Sequence, residues 1–289
     1  MNGNADSRAT LLISCNDKPG IVSRISTLLY HHKANIVTSD QYTTDPVNGM
    51  FFMRIEFDIA GILNQEHELR EAIASLAQKI EFQWQMYLAS EIKRMAIFVS
   101  KEDHALLELL WQWRSGDLRV EIPLIISNHE ESRVLAEQMG IPFVYIPVDR
   151  NNKLQAETEQ LRVLEENAVD FVVLARYMQI LTPLFVERYR NRIINIHHSF
   201  LPAFIGAKPY ERAYERGVKI IGATAHYVNE QLDEGPIIEQ DIHRVTHNES
   251  AVDLKKMGRY VERTVLARAV KWHIEDRIII HGNKTIVFI

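Results

Sequence analysis

Cysteine is almost missing from this sequence: Cys15 is the single thiol in 289 residues. One thiol excludes an internal disulfide and fits a reducing, cytoplasmic compartment. As a small apolar residue, Cys15 is expected to be buried. No run of lysine or arginine marks a phosphate-tracking surface, and the formal net charge is −5, which argues against a nucleic-acid partner. No apolar run approaches the ~18 residues of a membrane span. The opening MNGNADSRAT is not a charged-then-apolar leader. Internal repeats and low-complexity tracts are lacking too. The expectation is a soluble cytoplasmic protein with no membrane partner.

What is present suffices for two domains, with 46% of residues hydrophobic. Residues 9–89 alternate in type. ATLLISC reads as a strand, and the segment after NDKPG has helical spacing at Ile21, Ile25, Leu28 and Leu29. NIVTSDQYTT and MFFMRIEFDIA read as strands around a turn. A helix with Leu69, Ile73, Leu76 and Ile80 on one face follows, and EFQWQMYLAS closes the unit. The order β-α-β-β-α-β is ferredoxin-like. SEIKR, residues 90–94, reads as a short link, giving domains at 1–90 and 91–289. In the second, strands and helices alternate from MAIFVS to RIINIHH. That pattern implies an α/β fold with a doubly wound, mostly parallel sheet. KIIGATAHYV and GPIIEQDIHRV add strands, a long helix fills about 250–275, and KTIVFI adds a terminal strand.

RIINIHHSFLPAF, residues 192–204, is an odd end for a buried strand. Its isoleucines suit a strand covered on both faces, whereas Asn195, His197, His198 and Ser199 need partners if buried. Alternation places Asn195, His197 and Ser199 on one side and His198 on the other. On that reading His197 and His198 do not share an ion, and no metal is expected. Ligands of open α/β sheets sit beyond the carboxyl ends of the strands. Polar segments follow three further strands there: SKED, SNHE and RYMQIL. Downstream, AHYVNEQLDEGPI carries an acid, Asp233, in a turn. Ser199 has no assignable partner and is read as structural.

NIHHSFLPAFIGAKPY followed by GATAHYVNEQLDEGPII resembles the formyltransferase-type N10-formyltetrahydrofolate enzymes. The signature residues here are Asn195, His197, Ser199, Leu201, Pro202 and Asp233. The resemblance implies a formyltransferase-like domain in which Asn195, His197 and Asp233 are catalytic. It also implies that backbone near Met178, Gln179 and Leu181 binds the pterin. The turn Val228, Asn229, Glu230, Gln231 and Leu232 would close over it. Arg176, Lys208 and His226 are candidates to support these groups. In the glycinamide ribonucleotide transformylases the first strand runs into a glycine-rich phosphate loop. VSKEDHALL has no glycine there, and Glu102 and Asp103 would repel a phosphate. Arg176 stands where the transferases carry glycine. With the acceptor site filled, water is the natural acceptor. The chain is in this respect similar to the deformylase branch, hydrolases that release formate and tetrahydrofolate from 10-formyltetrahydrofolate. They would balance the one-carbon pool and supply formate for purine synthesis. The folate is then the substrate, and no cofactor is expected. A transferase with an unidentified amine acceptor and a non-catalytic folate or amino-acid sensor are the rival readings.

CNDKPGIVSRIS resembles the start of an ACT domain, with Asp17, Gly20 and Ile21 at the turn into its first helix. Asp17 is expected to cap that helix, and Gly20 to allow close backbone approach. The resemblance implies an amino-acid effector bound between paired domains, and hence a homo-oligomer.

Overall fold

The structure, a computed structural model, describes residues 6–45, 48–202 and 209–289. It divides into two compact units. One is Met1–Ile92 with Asp276–Ile279 and Ile286–Ile289; the other is Lys93–Glu275 with Ile280–Thr285.

The first unit contains β1 (Arg8–Asn16), α1 (Ile21–His31), β2 (Asn35–Thr43), β3 (Met50–Asp58), α2 (Ile62–Ile80) and β4 (Phe82–Leu88). The sheet order is β2-β3-β1-β4, and every pair is antiparallel. On one face Leu11 and Ile13 meet Ile21, Ile25 and Leu29 of α1 and Leu69 and Ile73 of α2. The i, i+4 spacing of those helix residues sets one stripe against the sheet. Cys15 is buried in the same cluster. On the other face Leu12 and Phe52 pack with Ile279 and Phe288 from the chain's end.

The second unit begins with β5 (Met95–Val99), α3 (His104–Ser115), β6 (Ile125–Ser127), α4 (Arg133–Gln138) and β7 (Phe143–Tyr145). It continues through α5 (Lys153–Glu166), β8 (Phe171–Ala175), α6 (Pro183–Arg188), β9 (Ile193–His197) and α7 (Pro209–Arg216). Last come β10 (Ile220–Tyr227), β11 (Ile237–Arg244) and α8 (Ala251–Ile274). The sheet runs β11-β10-β9-β8-β5-β6-β7. β5 to β9 pair in parallel, and β10 pairs antiparallel with both neighbours. Strand order reverses between β5 and β8, which marks the carboxyl ends of these two as a crevice. β5 and β8 are buried at every residue, as a strand covered on both faces requires. α8 starts with a reciprocal cap between Ser250 and Asp253.

Two expectations change. IIIH, residues 278–281, is a strand (β12) paired with β13 (Lys284–Val287) across the two-residue turn Gly282-Asn283. Asp17 does not cap α1: Gly20 is the N-cap residue, with no side-chain bond to the helix. Asp17 instead accepts from Thr43 Oγ1 at 3.0 Å. Gly20 is needed for its φ of 88°, since a Cβ there would meet nothing closer than 4.0 Å.

Candidate active site

β9 ends at His197, its last residue paired with β10, which itself continues as a strand. Asn195 lies opposite His226 and His197 opposite Thr224, so all four side chains share one face. Thr224 Oγ1 donates to the Ser199 carbonyl at 2.9 Å and accepts from the Leu201 amide at 3.0 Å. Gln240 Nε2 donates to Thr224 Oγ1 and to the Leu201 carbonyl. One buried threonine thus fixes the turn after the strand. Beyond His197 the alternation no longer holds. The rings of His197 and His198 are 5.1 Å apart and tilted by 31°. Strand geometry therefore does not separate them, contrary to the expectation. Among the described residues, no group of three or more His, Cys, Asp or Glu could hold a metal ion.

Asp233 arrives from a turn with strict backbone requirements at two positions. Its φ is 58°, in the left-handed region that aspartate tolerates better than most residues. Two residues on, a Cβ on Gly235 would lie 1.7 Å from the Tyr227 carbonyl oxygen, so residue 235 must be glycine. The Tyr227 amide donates to the Pro236 carbonyl at 2.9 Å, and Asn283 donates to the Glu234 carbonyl at 2.9 Å. Asp233 Oδ2 is then 3.2 Å from His197 Nδ1, and Oδ1 is 3.6 Å from His226 Nε2. Burial alone would raise the Asp233 carboxyl. The hydrogen bonds and charges of His197 and His226 outweigh it and hold the group well below the usual carboxylate range.

The ring nitrogens follow from their partners. His226 Nδ1 faces the Tyr227 carbonyl at 2.9 Å and must donate to it. Its Nε2 lies 3.2 Å from Asn195 Nδ2, a contact whose direction follows the protonation of the ring. His226 therefore touches both Asn195 and Asp233 and orients them. With Nδ1 of His197 donating to Asp233, its Nε2 is buried and has no hydrogen-bond partner among the described residues. An unsatisfied buried nitrogen in a native site calls for an explanation, and a reacting group supplies one.

The segment after β8 is pinned from three sides. The Met178 amide donates to Ser100 Oγ at 3.0 Å, and Ser100 Oγ donates to Asn128 Oδ1 at 2.7 Å. Gln160 Nε2 donates to Tyr177 Oη at 2.9 Å, and the Thr182 amide donates to Glu157 at 3.0 Å. Two of the polar strand ends seen in the sequence, Ser100 and Asn128, thus stitch strands together. The Met178 amide is already committed, whereas its side chain is exposed and Gln179 is half-buried. Leu181 and Val228, one from each segment expected to hold the pterin, both pack against the same hydrophobic cluster. Asn229 Oδ1 accepts from the Gln231 amide at 3.0 Å, tightening the turn that carries exposed Glu230 and Leu232. Lys208 lies outside the described residues.

Sequence reasoning missed Glu262, Tyr210 and His104. Glu262 Oε2 lies 2.8 Å from His104 Nε2 and 3.4 Å from Arg176 Nε. Glu102 lies 3.9 Å from Arg176 Nη2 and 2.6 Å from Lys255. The loop after β5 is thus filled with paired charge. In the first unit, an open cleft of about 920 Å³ is lined by Asp17, Gly20, Ile21, Gln41 and Thr43 among others.

The fold and site place the chain in a class: an ACT module followed by a formyl transferase-type unit. The formyl transferase family matches residues 93–270, and the ACT domain family matches residues 9–77. The chain belongs to the formyltetrahydrofolate deformylase family. It is 61% identical to the formyltetrahydrofolate deformylase of Bacillus subtilis, over 99% of this chain and 95% of that one. A crystal structure of a formyltetrahydrofolate deformylase from Pseudomonas syringae superposes with a TM-score of 0.94 at 43% identity, over 99% of this chain and 95% of that one. Glycinamide ribonucleotide transformylase 1 of Symbiobacterium toebii superposes with a TM-score of 0.65 at 27% identity, over 70% of this chain and 97% of that one. Among the described residues, no helix is long and apolar enough to cross a membrane.

Proposed function

We propose that the protein hydrolyses 10-formyltetrahydrofolate to formate and tetrahydrofolate, balancing the one-carbon pool and releasing formate for purine synthesis. The observation that carries the mechanism is the buried, unpartnered Nε2 of His197, backed by the Asp233 carboxylate.

The substrate carbonyl is an amide, so water must attack it and charge must build on its oxygen. Protonated Nε2 of His197 donates to that oxygen, and the second N–H of Asn195 flanks it. Asp233 orients His197 and the water. A carboxylate with a depressed pKa is a weak base toward free water. The attacking water becomes strongly acidic as its bond to carbon forms, and Asp233 can take a proton then. It returns that proton to N10 as the C–N bond breaks. Pinned backbone around Gln179 and Leu181 and the 228–232 turn hold the pterin. No cofactor is needed in this scheme.

The transferase reading is less favoured because Glu102 and Arg176 occupy the place of a phosphate loop. A sensor would not need the Asn195–His226–Asp233–His197 set. The first module binds an amino acid in its cleft and assembles the chain as a cytoplasmic homo-oligomer. The test measures formate release from 10-formyltetrahydrofolate after exhaustive chelator dialysis, with and without amine acceptors. Formate should appear one-for-one with tetrahydrofolate in every case. Turnover that needs an amine, or zinc restored after chelation, would overturn the reading.

A further inference from the structure

The hydrolytic scheme leaves a second set of buried charges unused. Glu262, 1% exposed on α8, accepts a hydrogen bond from Tyr210 Oη at 2.6 Å. Tyr210 reaches it because residue 258 is glycine; a Cβ there would lie 1.9 Å from the tyrosine oxygen. Burial works to raise the Glu262 carboxyl, but the His104 bond and the Arg176 charge bring it down to about 2. Glu102 pairs with Lys255, Arg176 and, at 3.6 Å, Arg259. It too is held below the usual range, with Lys255 the largest cause opposing burial.

Arg176 is the centre of this set. It leaves β8 with φ 62° and is 9% exposed. Its Nη1 has no hydrogen-bond partner among the described residues, whereas Nε faces Glu262 at 3.4 Å and Nη2 faces Glu102 at 3.9 Å. Arg176, Lys255 and Arg259 face Glu102 and Glu262, three cations against two carboxylates. Lys255 and Arg259 are solvent-exposed, so the unmet donor in this set is the buried Nη1 of Arg176.

The cluster adjoins the reacting groups. The His198 ring is 5.1 Å from that of His197 and 6.2 Å from that of Tyr210. Burial, then the charge of Arg176, pushes His198 down to about 4, while Asp233 acts on the same ring in the opposite sense. Hydrolysis bonds a water oxygen to the formyl carbon and breaks the C–N10 bond. One water proton ends on N10, the other goes to solvent, and formate leaves as an anion. That anion forms beside the Asp233 carboxylate, which repels it.

We propose that Arg176, held in place by Glu262, is a subsite for the small carboxylate product, formate, bound through Nη1, with Glu102 competing for the guanidinium. The proposal rests on the hydrolytic reading. Nε faces Glu262 and Nη2 faces Glu102, which leaves Nη1 as the edge open to the product.

The test uses the full chain as wild type, Arg176→Gln and Glu102→Gln. Binding of 13C-formate is followed by NMR without folate, and product inhibition by formate is measured during turnover. Arg176→Gln should weaken formate about tenfold or more. Glu102→Gln, which removes a competing anion, should tighten it and so decides the matter if Arg176→Gln fails to fold. Unchanged formate affinity in a folded Arg176→Gln, or weakening in Glu102→Gln, would overturn the subsite. Wild type that binds formate but releases none from 10-formyltetrahydrofolate would instead defeat the hydrolytic reading, because the binding measurement stands apart from turnover.

Discussion

Asp233 is the residue at which charge and shape separate most cleanly. Asparagine has the same outline and keeps one hydrogen bond to His197, but it can neither hold a charge nor take a proton. Asp233→Asn should lower kcat by ~10²–10⁴-fold while binding of a folate analogue survives. A purified variant with the wild-type rate of formate release would remove Asp233 from the mechanism. Its titration has a definite sign. The folded carboxyl lies below its unfolded value, which is about 3.9. The stability it contributes is complete above that value and is lost as pH falls through the lower folded one. Loss of activity between pH 5 and 7 is therefore not expected from Asp233. His197→Gln should move the carboxyl back up toward 3.9, readable as the 13C shift of the Asp233 carboxyl during acid titration. Equal midpoints in variant and wild type would mean that the His197 contact is not what depresses it. Asn195, His197 and Asp233 were legible in the sequence because they fall in two short motifs. Glu262 was not: within YVERTVL it looks like any surface-helix glutamate. Its partners His104, Arg176 and Tyr210 come from elements far away in the chain, and only the packing of α8 unites them.

At the scale of elements, the site depends on two turns that end neighbouring strands. The first, after His197, is fixed by Thr224, and its irregular course lets His198 lie beside His197. Period-two reasoning fails there because a strand's alternation ends with its ladder. The second turn carries Asp233 and depends on Gly235. Gly235→Ala places a methyl group inside the contact distance of the Tyr227 carbonyl, so the turn must shift. Displacing a reacting group by an ångström can cost roughly 10²-fold in rate. The expected outcome is that loss in kcat, with melting lowered but a native circular-dichroism spectrum retained. A variant as fast as wild type would show that the turn tolerates movement. The mostly parallel sheet and the βαββαβ unit were readable from apolar runs and helical spacing. The C-terminal hairpin was only half readable: IIIH follows the long helix so closely that its own strand went unseen, although Gly282-Asn283 is a two-residue hairpin signal.

For the whole molecule, the question is whether the first unit responds to an amino acid, as we propose. Its cleft gathers Asp17 and Gly20 from the β1–α1 turn with Gln41 and Thr43 from the end of β2. Asp17 supplies a carboxylate for an amino group, and the α1 start supplies amide N–H groups for a carboxylate. An amino acid tied to one-carbon metabolism, such as glycine or methionine, has both. Control has a purpose here, because hydrolysis discards an activated formyl group. Removing the first 92 residues is a poor test. Ile279 and Phe288 pack with Leu12 and Phe52, and a chain starting at Lys93 would expose them to water. The full chain should be used instead, as wild type and as Asp17→Ala, with formate release followed while each amino acid is titrated. An effective one should shift apparent affinity by roughly 5–150-fold, the span of ~1–3 kcal/mol of coupling. Asp17→Ala should need much more of it for the same shift, and sedimentation should report an oligomer for both proteins. If no amino acid changes the rate, or if Asp17→Ala responds at wild-type concentrations, the cleft is not the sensor and the module's role is assembly alone.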